Sequence, residues 1–246
     1  PGDGIGPEVT KSVVDVLAAQ GLKIDWETMN AGALVAEEAG TPLPDAVLES
    51  IKKNRIALKG PVTTPVGKGF TSVNVTLRKR LNLYACLRPV RSFNGIETPW
   101  KDVDIVVVRE NTEGLYSGLE HQVVPGTAVA VKMVTREATQ AIARFAFEYA
   151  KNEGRRRVTV AHKASVMRLT DGLFCDTVRE ISENYPFVET EFIEVDNVAL
   201  DLARDPAKFD VLLLENLFGD IVSDMGAGLV GGLGLVPGAN IGDHVA

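Results

Sequence analysis

The chain of 246 residues holds only two cysteines and three histidines, and it has no long run of apolar residues or of positive charge. Cys86 and Cys175 sit inside apolar stretches at no metal-like spacing. They read as buried thiols in a reducing compartment, the cytoplasm or alternatively the mitochondrial matrix, and not as a disulfide framework. Three histidines leave a zinc site without a ligand set. The longest apolar stretches, such as 211–214, fall far short of the roughly 20 residues of a bilayer-spanning helix. Nor is there a basic cluster of the kind that duplex phosphates demand; the pI is near 5.1 and the formal charge is -7, which argues against nucleic acid but leaves room for a local anion site.

What remains is 45% hydrophobic and 24% charged, the composition of an ordinary globular protein of one large or two smaller domains. Apolar Val9, Val13, Val16 and Leu17 mark an amphipathic helix. Further helices are expected over 45–53, 73–81, 136–152 and 171–185. They alternate with strands over 24–26, 56–58, 84–87, 105–108, 158–161, 191–195 and 211–214, which is α/β patterning. Continuous apolar runs such as 105–108 suit strands of a parallel or mixed sheet covered on both faces. The stretch 118–134, alternating through Val123, Val124, Ala128, Ala130 and Val134 and broken by Pro125-Gly126, reads as a hairpin outside the main sheet, free to pair with another subunit. The glycine-rich start has no strand before it and the turn-rich end leads into no further element, so the chain is expected to be cut at both ends.

Several residues could carry chemistry. Gly2-Asp3-Gly4-Ile5-Gly6-Pro7 departs from the G-x-G-x-x-G dinucleotide spacing and reads as a tight turn with Pro7 opening a helix. Ser72 is placed to cap a helix on which Asn74 and Arg78 share a face; the three could grip a carboxylate, or form a capped helix with solvated arginines. Arg88, Arg109, Lys163 and Asp196 each follow an expected strand, at the sheet edge where α/β proteins bind ligands. Asp220 and Asp224 lie four residues apart on a helix, where like charges repel by about a few tenths of a kcal/mol. Either they are exposed acids in a first turn, or a hard cation such as Mg2+ or Mn2+ lies between them.

The loop 2–8, the segment from Leu77-Arg78 to Arg88-Pro89, Arg109-Glu110-Asn111-Thr112-Glu113-Gly114 with Tyr116, and Asn216-Leu217-Phe218-Gly219-Asp220-Ile221-Val222-Ser223-Asp224 together resemble the β-decarboxylating dehydrogenases of the isocitrate/isopropylmalate dehydrogenase family. The resemblance implies a two-lobed α/β fold with a mixed sheet and the active site in the interdomain cleft. The large lobe would comprise 1–83 and the remainder from 231; the small dimerisation lobe would be 84–230 with a clasp near 117–135. It further implies that Arg78, Arg88 and Arg109 bind substrate carboxylates with Ser72 and Asn74. Asp220 and Asp224, with Asp196 from a partner subunit, would hold Mg2+ or Mn2+. Lys163, also donated across a homodimer, would relay the hydroxyl proton, Tyr116 would protonate the carbon that loses CO2, and Thr64 would contact the nicotinamide side of the cofactor.

Within the family, the polar Ser72 and Asn74 resemble the pattern that holds the γ-carboxylate of isocitrate, because an isopropyl group would leave both unpaired. The implied reaction is NAD-dependent oxidative decarboxylation of isocitrate to 2-oxoglutarate. NADP is the alternative, since the adenosine contacts of the family fall beyond residue 246. Homoisocitrate, 3-isopropylmalate and tartrate dehydrogenases, and a noncatalytic regulatory subunit, are the other readings.

Overall fold

The computed structural model describes residues 1–63 and 72–246. They divide into two compact units, Pro1–Leu83 with Gly242–Ala246, and Tyr84–Ile241.

The first unit is helical. Pro7 opens α1 (Gly6–Ala19), where its missing N–H costs nothing; α2 (Ala33–Ala39), α3 (Asp45–Asn54) and α4 (Val73–Arg80) follow. Leu43, Val47, Leu48, Val73 and Leu77 form its core. The glycine-rich loop serves close backbone packing. Gly2 takes φ +86° where a side chain would run into the Pro61 carbonyl, the Asp3 amide donates to that same carbonyl at 2.7 Å, and Asp3 Oδ2 accepts from the amides of Ala33 (3.0 Å) and Thr63 (2.8 Å). The expected strands at 24–26 and 56–58 do not form. A strand needs a bonded neighbour, and among the described residues only 55 and 57 exchange backbone bonds with Ala246, while Ile24, Trp26, Ile56 and Leu58 stay exposed.

The second unit is built on a six-stranded mixed sheet. Its strands are β1 (Ala85–Arg91), β2 (Asp104–Glu110), a separate hairpin of β3 (Glu120–Val124) and β4 (Thr127–Ala130), then β5 (Arg157–His162), β6 (Glu189–Glu194), β7 (Val211–Leu214) and β8 (Ala239–Ile241). The sheet order is β6-β5-β7-β2-β1-β8; β2, β7, β5 and β6 run parallel, while β1 is antiparallel to both β2 and β8. The helices are α5 (Arg136–Asn152), α6 (Thr170–Ser182), α7 (Val195–Arg204) and α8 (Asn216–Leu229). Strand periodicity explains the run 105–108: Val106 and Val108 pack with Ile142, Phe147 and Val178 on one face, and Ile105 and Val107 pack with Val198, Leu202 and Val222 on the other. Both faces are therefore covered. Helix α5 has the bounds expected from its pattern, and Thr135 Oγ1 caps it by accepting from the Ala138 amide.

Three expectations shift. Arg88 lies inside β1, not after it; β8 pairs only with Ala85, Cys86 and Leu87, so Pro89 meets an open edge where its missing N–H is harmless. Strand β6 stops at Glu194 and Asp196 falls in the first turn of α7, a helix the sequence reading passed over. Residues 231–241 stay with the second unit because β8 pairs with β1. The hairpin stands apart from the main sheet and every residue of β3 and β4 is exposed. Among the described residues, no helix is long and apolar enough to cross a membrane.

Both cysteines are free and buried, and burial, with the charge of Asp171 adding to it, pushes the Cys175 thiol up to about 12. Neither thiol of the native protein should react with Ellman's reagent at pH 8 within minutes, and both should react after denaturation. Rapid native labelling at Cys175 would contradict its burial.

Candidate active site

Because β2, β5, β6 and β7 are parallel, their carboxyl ends open on one edge of the sheet. They deliver Arg109, Lys163, Asp196 and the start of α8 there. Asn216, Asp220 and Asp224 recur every four residues along α8 and so share one face.

That face is organised by Arg109, whose side chain is 1% exposed. Its guanidinium donates from Nε (3.2 Å) and Nη2 (2.7 Å) to Asn216 Oδ1, and from Nη1 to Asp220 Oδ1. Asn216 is in turn fixed by donating from Nδ2 to the Glu113 carbonyl at 3.0 Å. The Arg109 side chain can cross α8 this closely only because residue 219 is glycine: a Cβ there would lie 2.5 Å from Arg109 Cγ. Tyr116, in a short 3-10 turn, donates its hydroxyl to Asp220 Oδ2 and stacks its ring 5.1 Å from the Arg109 guanidinium carbon. That hydrogen bond to an anion, aided by burial, raises the Tyr116 phenol above its ordinary value and keeps it protonated. One turn along, Asp224 Oδ1 accepts from Arg88 Nη1 at 2.8 Å.

The repulsion between Asp220 and Asp224 is thus offset by two arginines, so their spacing alone does not demand a cation. No three His, Cys, Asp or Glu side chains gather as a metal site among the described residues. Asp196 instead pairs with Lys163 Nζ at 2.5 Å, and Glu194 Oε2 meets the same ammonium at 2.8 Å. These anions, Asp196 first, raise the lysine, while Lys163 lowers both carboxyls.

In the first unit, Ser72 occupies the N-cap position of α4 but its hydroxyl makes no capping bond; its carbonyl accepts from Thr76. Asn74 Oδ1 is buried with no hydrogen-bond partner among the described residues. Arg78 begins a basic last turn with Lys79 and Arg80. Thr64 lies outside the described residues.

A family model described as isocitrate/isopropylmalate dehydrogenase matches residues 1–246. The chain belongs to this family. It is 48% identical, over 98% of its length, to a probable isocitrate dehydrogenase [NAD] subunit alpha, mitochondrial, of Drosophila melanogaster, and spans 64% of that relative. It is 49% identical, over 99% of its length, to the chloroplastic 3-isopropylmalate dehydrogenase of Solanum tuberosum, spanning 68% of it. The crystal structure of isocitrate dehydrogenase from Methylococcus capsulatus superposes with a TM-score of 0.95 at 51% identity, covering the whole of this chain and 74% of that one. The chain therefore spans about two thirds of the curated relatives it matches, and it has the α/β fold of the family with a mixed sheet.

Family membership leaves several residues around this edge unclaimed by the sequence reading. Asn216 opens the very motif read for its aspartates, yet it is the anchor for Arg109. Glu110 closes its own turn by accepting from Thr112 N (2.6 Å) and Glu113 N (3.1 Å), and Glu113 accepts from Thr135 N (2.7 Å) and Oγ1 (2.9 Å). Burial, partly opposed by Thr135, raises the Glu113 carboxyl. The partners of Asn216 and Glu113 are distant in sequence and leave no local signature.

Substituting Gly219→Ala should cost about 1–3 kcal/mol through overpacking against Arg109, despite alanine's better helix propensity. Gly228→Ala, in the same helix with nothing within 4 Å of the added Cβ, should be neutral or stabilising. Urea midpoints of the two variants decide; equal effects would remove the packing argument.

Proposed function

We propose that the protein oxidises isocitrate at C2 with NAD and a divalent cation and removes the β-carboxylate, giving 2-oxoglutarate and CO2. Family membership limits the chemistry, and the polar start of α4 carries the choice of substrate. The Ser72 hydroxyl is uncommitted to its own helix and the Asn74 amide oxygen is buried with no partner among the described residues; turning that amide over exchanges an acceptor for donors. A γ-carboxylate would use both side chains, and an isopropyl group would leave both unpaired. The near-equal identity to an isocitrate and an isopropylmalate enzyme makes these two positions more informative than overall similarity.

In this reading Arg78, Arg88 and Arg109 bind the three carboxylates with Ser72 and Asn74. Arg88 and Arg109 would turn from Asp224 and Asp220 towards the substrate. The two aspartates are hard oxygen donors suited to Mg2+ or Mn2+, and Asp196 of a second subunit would complete the set. A bound cation supplies Lewis-acid polarisation of the C2 oxygen. Lys163 would accept the hydroxyl proton as the neutral amine, which its pairing with Asp196 and Glu194 opposes, so both carboxylates would have to turn from it first. Tyr116, kept protonated beside Asp220, is the acid that delivers a proton to the carbon losing CO2. Thr64 would contact the nicotinamide. NADP is the alternative cofactor.

Exposed Val123, Val124 and Val129 on the hairpin suit pairing with a second copy, in keeping with a homodimer that exchanges Lys163 and Asp196. A reducing compartment, cytoplasm or mitochondrial matrix, fits the free thiols.

Absorbance at 340 nm should rise with isocitrate, NAD and Mg2+ together. A rise only with NADP would move the cofactor assignment, and a rise only with 3-isopropylmalate would overturn the argument from Ser72 and Asn74. Silence with both substrates would favour another hydroxy acid or a regulatory subunit. Ser72→Ala should raise KM for isocitrate about 10- to 100-fold, the effect of losing a hydrogen bond to a charged group, with a smaller change in kcat. Asp220→Asn should abolish Mg2+-dependent turnover in a folded protein; full activity in that variant would refute the metal assignment.

A further inference from the structure

Behind the site lies a buried cluster of charges that the proposed chemistry does not use. Lys132 follows the hairpin, and its side chain is 10% exposed. Its ammonium lies 2.5 Å from Asp171 Oδ1 and 3.3 Å from Glu215 Oε1, with the Phe218 ring centroid at 5.0 Å and Met167 Sδ at 3.7 Å. Asp171 is 2% exposed and Glu215 6%. Burial of charges on this scale costs free energy that an apolar trio of similar volume would avoid, so packing alone does not account for it.

Each partner of the ammonium leads to a different part of the site. Asp171 Oδ2 accepts from the backbone amide of Lys163 at 2.7 Å, so it holds the chain where β5 ends. Glu215 is the N-cap residue of α8, immediately before Asn216 and one turn from Asp220. Met133, next to Lys132, accepts from the Gly114 amide at 2.9 Å, two residues before Tyr116. Gly114 in turn lies against Glu215, leaving only 3.1 Å from Glu215 Oε2 to an added Cβ.

We propose that Lys132 is a positioning residue: its ammonium, gripped by Asp171 and Glu215, fixes the backbone at Lys163 and the turn of Tyr116 to the start of α8. The segment that would lend Lys163 to the partner's site is thereby held in register with the two, the turn of Tyr116 and the start of α8, that would serve this chain's own, so one buried cation sets the geometry at which each subunit meets the other. A displacement of about 1 Å between reacting groups can cost on the order of 100-fold in rate. The tie acts on geometry, so its loss should fall on kcat and spare ground-state binding.

The inference rests on the proposed dehydrogenase reading for its kinetic consequence. The test compares the full-length protein with Lys132→Met and with a charge-neutral triple variant, Lys132→Met, Asp171→Asn and Glu215→Gln. The triple variant buries no unpaired charge and so remains informative if Lys132→Met alone fails to fold. In the folded triple variant, kcat with isocitrate should fall about 100-fold with KM within about threefold, and the acid limb of the kcat profile against pH should move. A kcat within threefold of wild type and an unmoved limb, or a loss carried by KM alone, would overturn the proposal. If the wild-type protein turns over neither isocitrate nor isopropylmalate, the functional reading falls by itself. The positioning inference is then decided by hydrogen exchange at the amides of Lys163, Gly114 and Gly219. Joint loss of protection at all three in the triple variant, with β7 unchanged, supports it; loss at one alone, or at none, overturns it.

Discussion

Everything at the carboxyl edge of the sheet depends on a guanidinium buried at the end of β2. Arg109 is fully desolvated and always charged, so its position is tolerable only because Asn216 and Asp220 accept its hydrogen bonds and Tyr116 covers its face. Those partners sit on α8 and on the 3-10 turn, which must therefore be brought against β2. Gly219 permits the approach, and Gly226, only 3.2 Å from Val90 Cγ2 when a Cβ is added, extends it along the same helix. The Arg109 cation thus explains the glycine of the motif, the asparagine that opens it and the ring of Tyr116 laid over the guanidinium.

The sheet topology explains why charges converge at this edge. Four parallel strands end together, and the antiparallel β1 starts beside them, opposite Glu110. The helices that leave β6 and β7 begin there, and Asp196, in the first turn of α7, meets favourable positive potential. The face that holds α5 and α6 carries the larger apolar cluster, and its buried charge, Asp171 at the start of α6, is matched by Lys132.

Much of this was legible in the sequence because it is written locally. The 3.6-residue pattern of 136–152 gave α5 its bounds, the run 105–108 announced a strand covered on both faces, and Pro125-Gly126 within an alternating stretch announced the hairpin. Asp220 and Asp224 were placed on one helical face by spacing alone. What was misread depends on partners that periodicity does not contain. The runs 24–26 and 56–58 have strand composition without a neighbouring strand, and Asp196 leaves its strand by starting a helix. Lys132 is a lone lysine after an alternating stretch, and its meaning comes from Asp171, 39 residues away. The resemblance of motifs identified the family where spacing left substrate, scaffold and metal readings open together.

The two aspartates of α8 show how a sound premise can lead to an incomplete inference. Like charges at i,i+4 do repel, and the repulsion does need an answer. The structure answers it with Arg109 on one and Arg88 on the other, so each carboxylate has a counter-charge of its own. The case for a metal then rests elsewhere, on the donors and their freedom to exchange partners. Asp220 and Asp224 remain 32% and 52% exposed, and Arg109 keeps two hydrogen bonds to Asn216 that hold it in place while its counter-anion is exchanged for another. In the proposed reading a tricarboxylate substrate would offer both arginines replacement anions, and release of the aspartates would create a cation site as the substrate arrives. Substrate and metal binding would then each favour the other, because each relieves the charge that the other leaves unpaired.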